Sequence, residues 1–201
     1  MSQPSINDPR KIVGCDLDDV LADFIQKFME IAADKYGVNP DLRPTSWEWA
    51  DVDMSAERVD GVWAEIIEQP HFWETLRVMP YVNRSLVLAL NDNAKLYFPT
   101  ARAITQGGVD VGLQSARWLN HNFGLDYPTV IVSNEKGPMA IALKYDYFID
   151  DRPKNCLAIQ AALPNCKIFM QNASHNQGVE LSGIPRIQSF NDFASMILEG
   201  E

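Results

Sequence analysis

Apolar positions along this chain follow two rhythms that alternate. Residues 11–17 are almost continuously apolar, as expected of a strand buried on both faces. Residues 20–36 switch to helical spacing, with Leu21, Phe24, Ile25, Phe28 and Ile31 sharing one face, and Gly37 and Pro40 end the run. The alternation resumes after residue 94. It predicts strands over 95–99, 129–133, 147–149 and 167–170, and the start of a short one at Ile187. Between them it predicts helices over 109–122, 138–143, 153–162 and 191–198, the third with a proline at its first position. Residues 40–80 break the pattern. They carry Trp47, Trp49, Trp63, Phe72 and Trp73 among acidic residues, with a predicted helix over 55–67 that Ser55 caps. A further helix is predicted over 83–91.

Strands that alternate with helices imply a parallel sheet covered on both faces. The predicted fold is therefore α/β, a Rossmann-like three-layer α/β/α sandwich with a small helical cap inserted after the first strand. Residues 1–23 and 85–201 form the predicted core domain and residues 24–84 the cap.

Composition narrows the functional classes. Of the 201 residues 46% are apolar, enough for a real core, and the formal charge of −10 disfavours a nucleic-acid polymer or an anionic membrane as partner. A small anionic substrate stays open, because a local cation can override the global field. Three cysteines, Cys15, Cys156 and Cys166, have neither paired nor zinc-like spacing and suit a reducing compartment. The first ten residues lack a signal-peptide core, and apolar runs such as 86–90 are too short to span a bilayer. The expectation is a soluble cytoplasmic protein. Oligomeric state is left open.

In open parallel sheets, ligand sites form beyond the carboxyl ends of the strands. The first strand ends in Asp16-Leu17-Asp18-Asp19. Residues two apart in extended chain point the same way, so Asp16 and Asp18 face one site with backbones roughly 6.6 Å apart. One carboxylate can sit beside a phosphoryl group while the other reaches its bridging oxygen. The second strand ends in Thr100-Ala101, where a hydroxyl and turn N–H groups can donate to phosphoryl oxygens. The third leads to Lys136 at a helix start, with Lys144 as a rival, and the fourth ends in Asp150-Asp151. Four carboxylates around one lysine repel one another, and an oxygen-ligated divalent cation resolves the conflict. The hard cation that keeps waters and binds phosphate is magnesium. No glycine-rich phosphate loop is present, which argues against a kinase. The histidines, His71, His121 and His175, show no partner spacing and read as ordinary.

Taken together, Asp16-x-Asp18, Thr100, Lys136 and Asp150-Asp151 resemble the four motifs of the haloacid dehalogenase superfamily, in order and over most of the chain. The runs DLDDVLADF and IDDRP are similar to its 5′-nucleotidase branch, which includes the 5′(3′)-deoxyribonucleotidases. The resemblance implies a phosphomonoesterase in which Asp16 is nucleophile and metal ligand. Asp18 is the general acid and base, with a metal-binding backbone carbonyl. Thr100 and Ala101 bind the phosphoryl group with Lys136, and Asp150 and Asp151 complete a magnesium site. Phe24 matches an aromatic of the family's nucleobase pocket, and Trp73 is a candidate for the same pocket. Two departures from the branch touch phosphate and sugar contacts: Ala101 replaces a serine, and Asn134 replaces an arginine. The implied substrate is a (deoxy)nucleoside monophosphate. A sugar phosphate or another small metabolite is the alternative, and a catalytically silent binding protein on the same scaffold is a third reading.

Overall fold

A computed structural model describes residues 9–46 and 49–200; Trp47 and the first eight residues of the chain lie outside this description. The first strand, β1 (Ile12–Cys15), is the centre of the sheet. Its neighbours are β2 (Lys95–Thr100) and β4 (Tyr147–Asp150), both parallel to it, with Val13 in register with Leu96 on one side and Tyr147 on the other. With β3 (Thr129–Val132), β5 (Lys167–Gln171) and β6 (Arg186–Ile187), the six parallel strands take the order β3-β2-β1-β4-β5-β6. The strand order reverses between β1 and β4, the place where open sheets of this kind bind ligands. Gly14 is the small residue that the centre requires. A Cβ there would lie 2.5 Å from the Phe148 ring of β4.

Helices cover both faces, as predicted. On one face α3 (Arg84–Asn93), α4 (Val111–Phe123) and α7 (Phe190–Glu199) bury Val87, Leu90, Trp118, Leu119, Phe190 and Phe193. On the other, α5 (Lys136–Leu143) and α6 (Pro153–Ala162) bury Ala140, Cys156 and Ile159 against Phe148, Ile168 and Met170. Their ends follow side-chain chemistry. Asn83, Asp110 and Ser189 accept first-turn N–H groups of α3, α4 and α7, and Gly124 ends α4 at φ 75°, where a Cβ would be strained. The three cysteines are free and buried.

The predicted helix over 20–36 begins later than its apolar spacing suggests, and the reason bears on the site. Residues 17–22 fold into a tight turn in which the N–H groups of Leu21 and Ala22 both donate to the Leu17 carbonyl, at 2.9 and 2.8 Å. Asp23 then accepts from Gln26 N–H and starts α1 (Phe24–Tyr36), which ends at Gly37. The chain continues through short 3-10 turns at Ala50–Val52 and Phe72–Glu74, which flank α2 (Ala56–Glu68). Ser55 caps α2, as predicted, by accepting from Arg58 N–H. The aromatic side chains of this insertion do not form a separate core. Phe24, Phe28, Trp49, Phe72 and Trp73 belong to one hydrophobic cluster that runs on through Leu17 and Val13 to Trp118 and Phe193. Among the described residues no helix is long and apolar enough to cross a membrane.

Candidate active site

A cleft opens above the carboxyl ends of β1, β2 and β4, and Asp16, Asp18, Ala101, Lys136 and Asp151 line it with Phe24, Trp63 and Trp73. Asp16 is the first residue past β1. Its N–H extends the ladder to Ile149 of β4 at 3.1 Å, which leaves the carboxyl group buried but facing the cleft. Asp18 is more open, with 22% of its side chain exposed. Asp19 takes the left-handed conformation, φ 58°, which costs a non-glycine residue on the order of 1–2 kcal/mol. Three bonds hold it there: its N–H donates to the Ala22 carbonyl, its carboxylate accepts from Ile25 N–H, and its carbonyl accepts from Gln171 Nε2. The turn thus brings Asp16, Asp18 and Asp19 to the cleft, with the Asp19 carboxylate tied to the start of the following helix.

Lys136, the first residue of α5, places its buried ammonium 2.7 Å from Asp16 Oδ1 and 2.6 Å from Asp150 Oδ2. The rival Lys144 is exposed at the far end of the same helix. Lys136 alone does not balance Asp16, Asp150 and Asp151. Burial pushes Asp16 well above the usual carboxylate range; Lys136 pulls it down, and Asp150, Asp151 and Asp18 push it further up. Asp150 is raised in the same way, chiefly by burial against the pull of Lys136. Burial would lower the lysine, but Asp150 and Asp16 outweigh it and hold its pKa above the ordinary value. The ammonium is therefore fixed in its charged form and the carboxylates share an excess of negative charge.

Asp150 and Asp151 are adjacent but differently held. Asp150 accepts from Lys136, from Asn155 Nδ2 at 3.0 and 3.1 Å and from Arg152 N–H at 2.9 Å. Asp151 meets His175 Nε2 at 2.6 Å through Oδ2, and its carbonyl accepts from Asn176 Nδ2 at 2.6 Å. Its Oδ1 is buried with no hydrogen-bond partner among the described residues. Carboxylate oxygens of Asp16, Asp150 and Asp151 all lie within 4.8 Å of one another. A buried carboxylate oxygen without a donor is costly, and a hard oxygen donor set with excess negative charge fits a divalent cation. Thr100 at the end of β2 presents a second such atom, a fully buried Oγ1 without a partner among the described residues, beside the exposed Ala101.

The aromatic wall differs from the expectation in one respect. Phe24 and Trp73 do line the cleft, but both are almost wholly buried. Phe24 stacks on Trp63 and on Trp73, with ring centroids 5.5 and 5.8 Å away and both pairs inclined by 29°. Trp63 is half-buried, the most open of the three rings. Two polar residues were not singled out from sequence. Arg102, two residues past Thr100, is buried and forks onto Asp18. His175, read as ordinary, lies in the buried cluster of Asp19, Asp151 and His175. Arg102 could have been found from its place just past a strand end that faces acids; His175 carried no local signal.

Residues 10–201 match the family model described as 5′ nucleotidase, deoxy (Pyrimidine), cytosolic type C protein. A curated protein of Staphylococcus aureus strain MSSA476, named "Putative 5′(3′)-deoxyribonucleotidase", is 26% identical over 194 residues, covering 94% of this chain and 97% of its own. A HAD family hydrolase of Deinococcus radiodurans R1, solved with bound phosphate and sodium, matches at TM-score 0.57 and 11% identity, over 96% of each chain. A HAD-superfamily hydrolase of Geobacter sulfurreducens PCA matches at TM-score 0.55 and 16% identity, over 93% of this chain and 99% of the other. At these identities the two structures speak to the fold alone.

Proposed function

Because this chain belongs to the family of cytosolic type C 5′ (deoxy, pyrimidine) nucleotidases and shares the fold of haloacid dehalogenase-like hydrolases, we propose that it hydrolyses (deoxy)nucleoside monophosphates through an aspartyl phosphate on Asp16, with magnesium as its cation. It is a phosphatase of the 5′-nucleotidase type. The observation that carries it is the bridge of Lys136 between Asp16 and Asp150, with Asp18 beside it and partnerless buried oxygens on Thr100 and Asp151.

Asp16 attacks phosphorus, and the bond from phosphorus to the ester oxygen breaks as Asp18 gives that oxygen a proton. Water then attacks the aspartyl phosphate, Asp18 takes its proton, and the bond from phosphorus to Asp16 breaks to release phosphate. Lys136 neutralises the nucleophile before attack and phosphoryl oxygens after it. Thr100 Oγ1 and the N–H of Ala101 donate to the same oxygens. Asp16, the Asp18 carbonyl and Asp151 would hold the magnesium directly, while Asp150, already saturated by Lys136, Asn155 and Arg152 N–H, orients the lysine. Bound there, the cation supplies charge neutralisation for the transferring phosphoryl group.

Residues 24–84 act as a cap whose aromatic wall meets the nucleobase, with Trp63 as its most open ring. The acidic charge, the free buried cysteines and the lack of a membrane-crossing helix among the described residues support a cytoplasmic enzyme. The test is phosphate release from a panel of nucleoside monophosphates and sugar phosphates with magnesium, on wild type and Asp16→Asn. Nucleotide turnover that the substitution abolishes is expected. Sugar phosphates cleaved well and nucleotides not at all would overturn the substrate, and an active, folded Asp16→Asn would overturn the nucleophile.

A further inference from the structure

Arg102 is a buried cation that the phosphoryl chemistry leaves without a task. Its side chain is fully out of solvent. Burying a guanidinium costs several kcal/mol unless its N–H groups are met in good geometry, and here they are. Nε lies 3.1 Å from Asp18 Oδ1 and 3.2 Å from Oδ2, Nη2 lies 2.8 Å from Oδ1, and Nη1 donates to Ser115 Oγ at 2.9 Å. Ser115 is itself fixed by donating to the Val111 carbonyl at 2.8 Å. The guanidinium carbon sits 4.9 Å from the Trp73 ring and 5.8 Å from the Trp118 ring. Both indoles are pinned, Trp73 Nε1 to the Ala103 carbonyl and Trp118 Nε1 to the Leu76 carbonyl. The arginine is a rigid fork, anchored on the core helix α4 and stacked on a ring of the insertion.

We propose that Arg102 is the positioning residue for Asp18, holding its carboxylate so that Oδ2, the oxygen it touches only once, meets the leaving-group oxygen, and linking that placement to the insertion through the Trp73 stack. The inference rests on the reading of Asp18 as acid and base. Asp18 stands on a turn with part of its side chain in solvent, and a free carboxylate there would sample several rotamers. A planar guanidinium that bonds both oxygens fixes the plane of the carboxylate, which a lysine cannot do. A misplacement of about 1 Å at a reacting group can cost on the order of 10²-fold in rate.

A group that positions the acid matters in proportion to the need for a proton on the leaving oxygen. Phenyl phosphate releases a phenol about as basic as tyrosine, whereas 4-nitrophenyl phosphate, nearly the same size, releases a far weaker base. The experiment compares kcat and KM for both esters, with magnesium, in wild type, Arg102→Gln, Arg102→Lys and Ser115→Ala. In Arg102→Gln, kcat/KM, which reports the transfer to Asp16 and not the later attack by water, is expected to fall about 10²-fold on phenyl phosphate and less than about tenfold on the nitro ester. Arg102→Lys should lie between, and Ser115→Ala should show the same skew more weakly. Equal losses in kcat/KM on the two esters would overturn the inference. If Arg102→Gln fails to fold, Ser115→Ala and Arg102→Lys decide it by the same ratio. Wild type inert on both esters and on nucleotides would overturn the phosphatase reading of Asp18 and this inference with it, a result distinct from an active wild type with an unskewed variant.

Discussion

Replacing Lys136 with methionine removes the charge that bridges Asp16 and Asp150 and keeps most of the side-chain volume. At distances of 2.7 and 2.6 Å, and with an effective dielectric of about 20, each contact carries about 6 kcal/mol of attraction, offset by the cost of drying three ionised groups. In the variant the two carboxylates face each other in a buried site. Taking up one proton is the cheapest relief. At pH 7 a carboxyl group of ordinary pKa, about 3.9, is protonated at a cost of about 4 kcal/mol, and at pH 5 at about 1.5 kcal/mol. The variant carboxyl has a folded pKa above its unfolded one, so its stability is intact below the unfolded value and is lost as pH rises through the folded value. Because Asp16 is already raised in the wild type, Lys136→Met is expected to be less stable than wild type by up to about 4 kcal/mol at pH 7, and by up to about 1.5 kcal/mol at pH 5. Urea unfolding followed by tryptophan fluorescence, in chelator, between pH 5 and 8 measures both. A loss that does not change with pH, or one below about 1 kcal/mol at pH 7, would refute the reasoning.

Burial also raises Asp16 and Asp19 in the wild type, so without metal its stability should fall as pH rises from 5 to 8. Magnesium at about a hundred times its dissociation constant should add about 2.7 kcal/mol at pH 8 and flatten that fall; an unchanged melting curve would count against a cation in this cluster. Trp63→Ala should weaken nucleoside monophosphates by about 1–3 kcal/mol relative to 4-nitrophenyl phosphate. Phe24→Ala, by contrast, should chiefly destabilise the fold, by about 3–5 kcal/mol in urea titration; a fully stable Phe24→Ala would refute its place in the core. Gly14→Ala should cost at least about 1–3 kcal/mol through overpacking against Phe148, and a neutral effect would refute the close approach.

The order of elements was legible because a parallel sheet writes itself as apolar runs separated by helical spacing. The helix over 153–162 begins at a proline, and its ends match Pro153–Ala162. The late start of α1 was not legible from periodicity. The turn at 17–22 is built from backbone bonds to Leu17 and from Gln171, a residue some 150 positions away. The acids and Lys136 came together as the strand ends implied, because each follows an apolar strand or opens a helix. Phe24 and Trp73 showed their aromatic character in sequence but not their burial, since that depends on each other and on Trp63. His175 declares itself only through tertiary contact with Asp151, whereas Arg102, which meets Asp18, was signalled by its place just past a strand end.

The single cluster that joins the insertion to the sheet restricts how such a protein can change. Phe24 and Trp73 are at once pocket wall and core, so a substitution that reshapes the wall also lowers the melting point. Transplanting a relative's residues 37–76 would leave Phe24 and Phe28 facing foreign partners, and such a graft would have to carry α1 with it. Drift in substrate preference is channelled instead through the half-open ring at Trp63, where a new side chain meets the cleft at little expense to the interior.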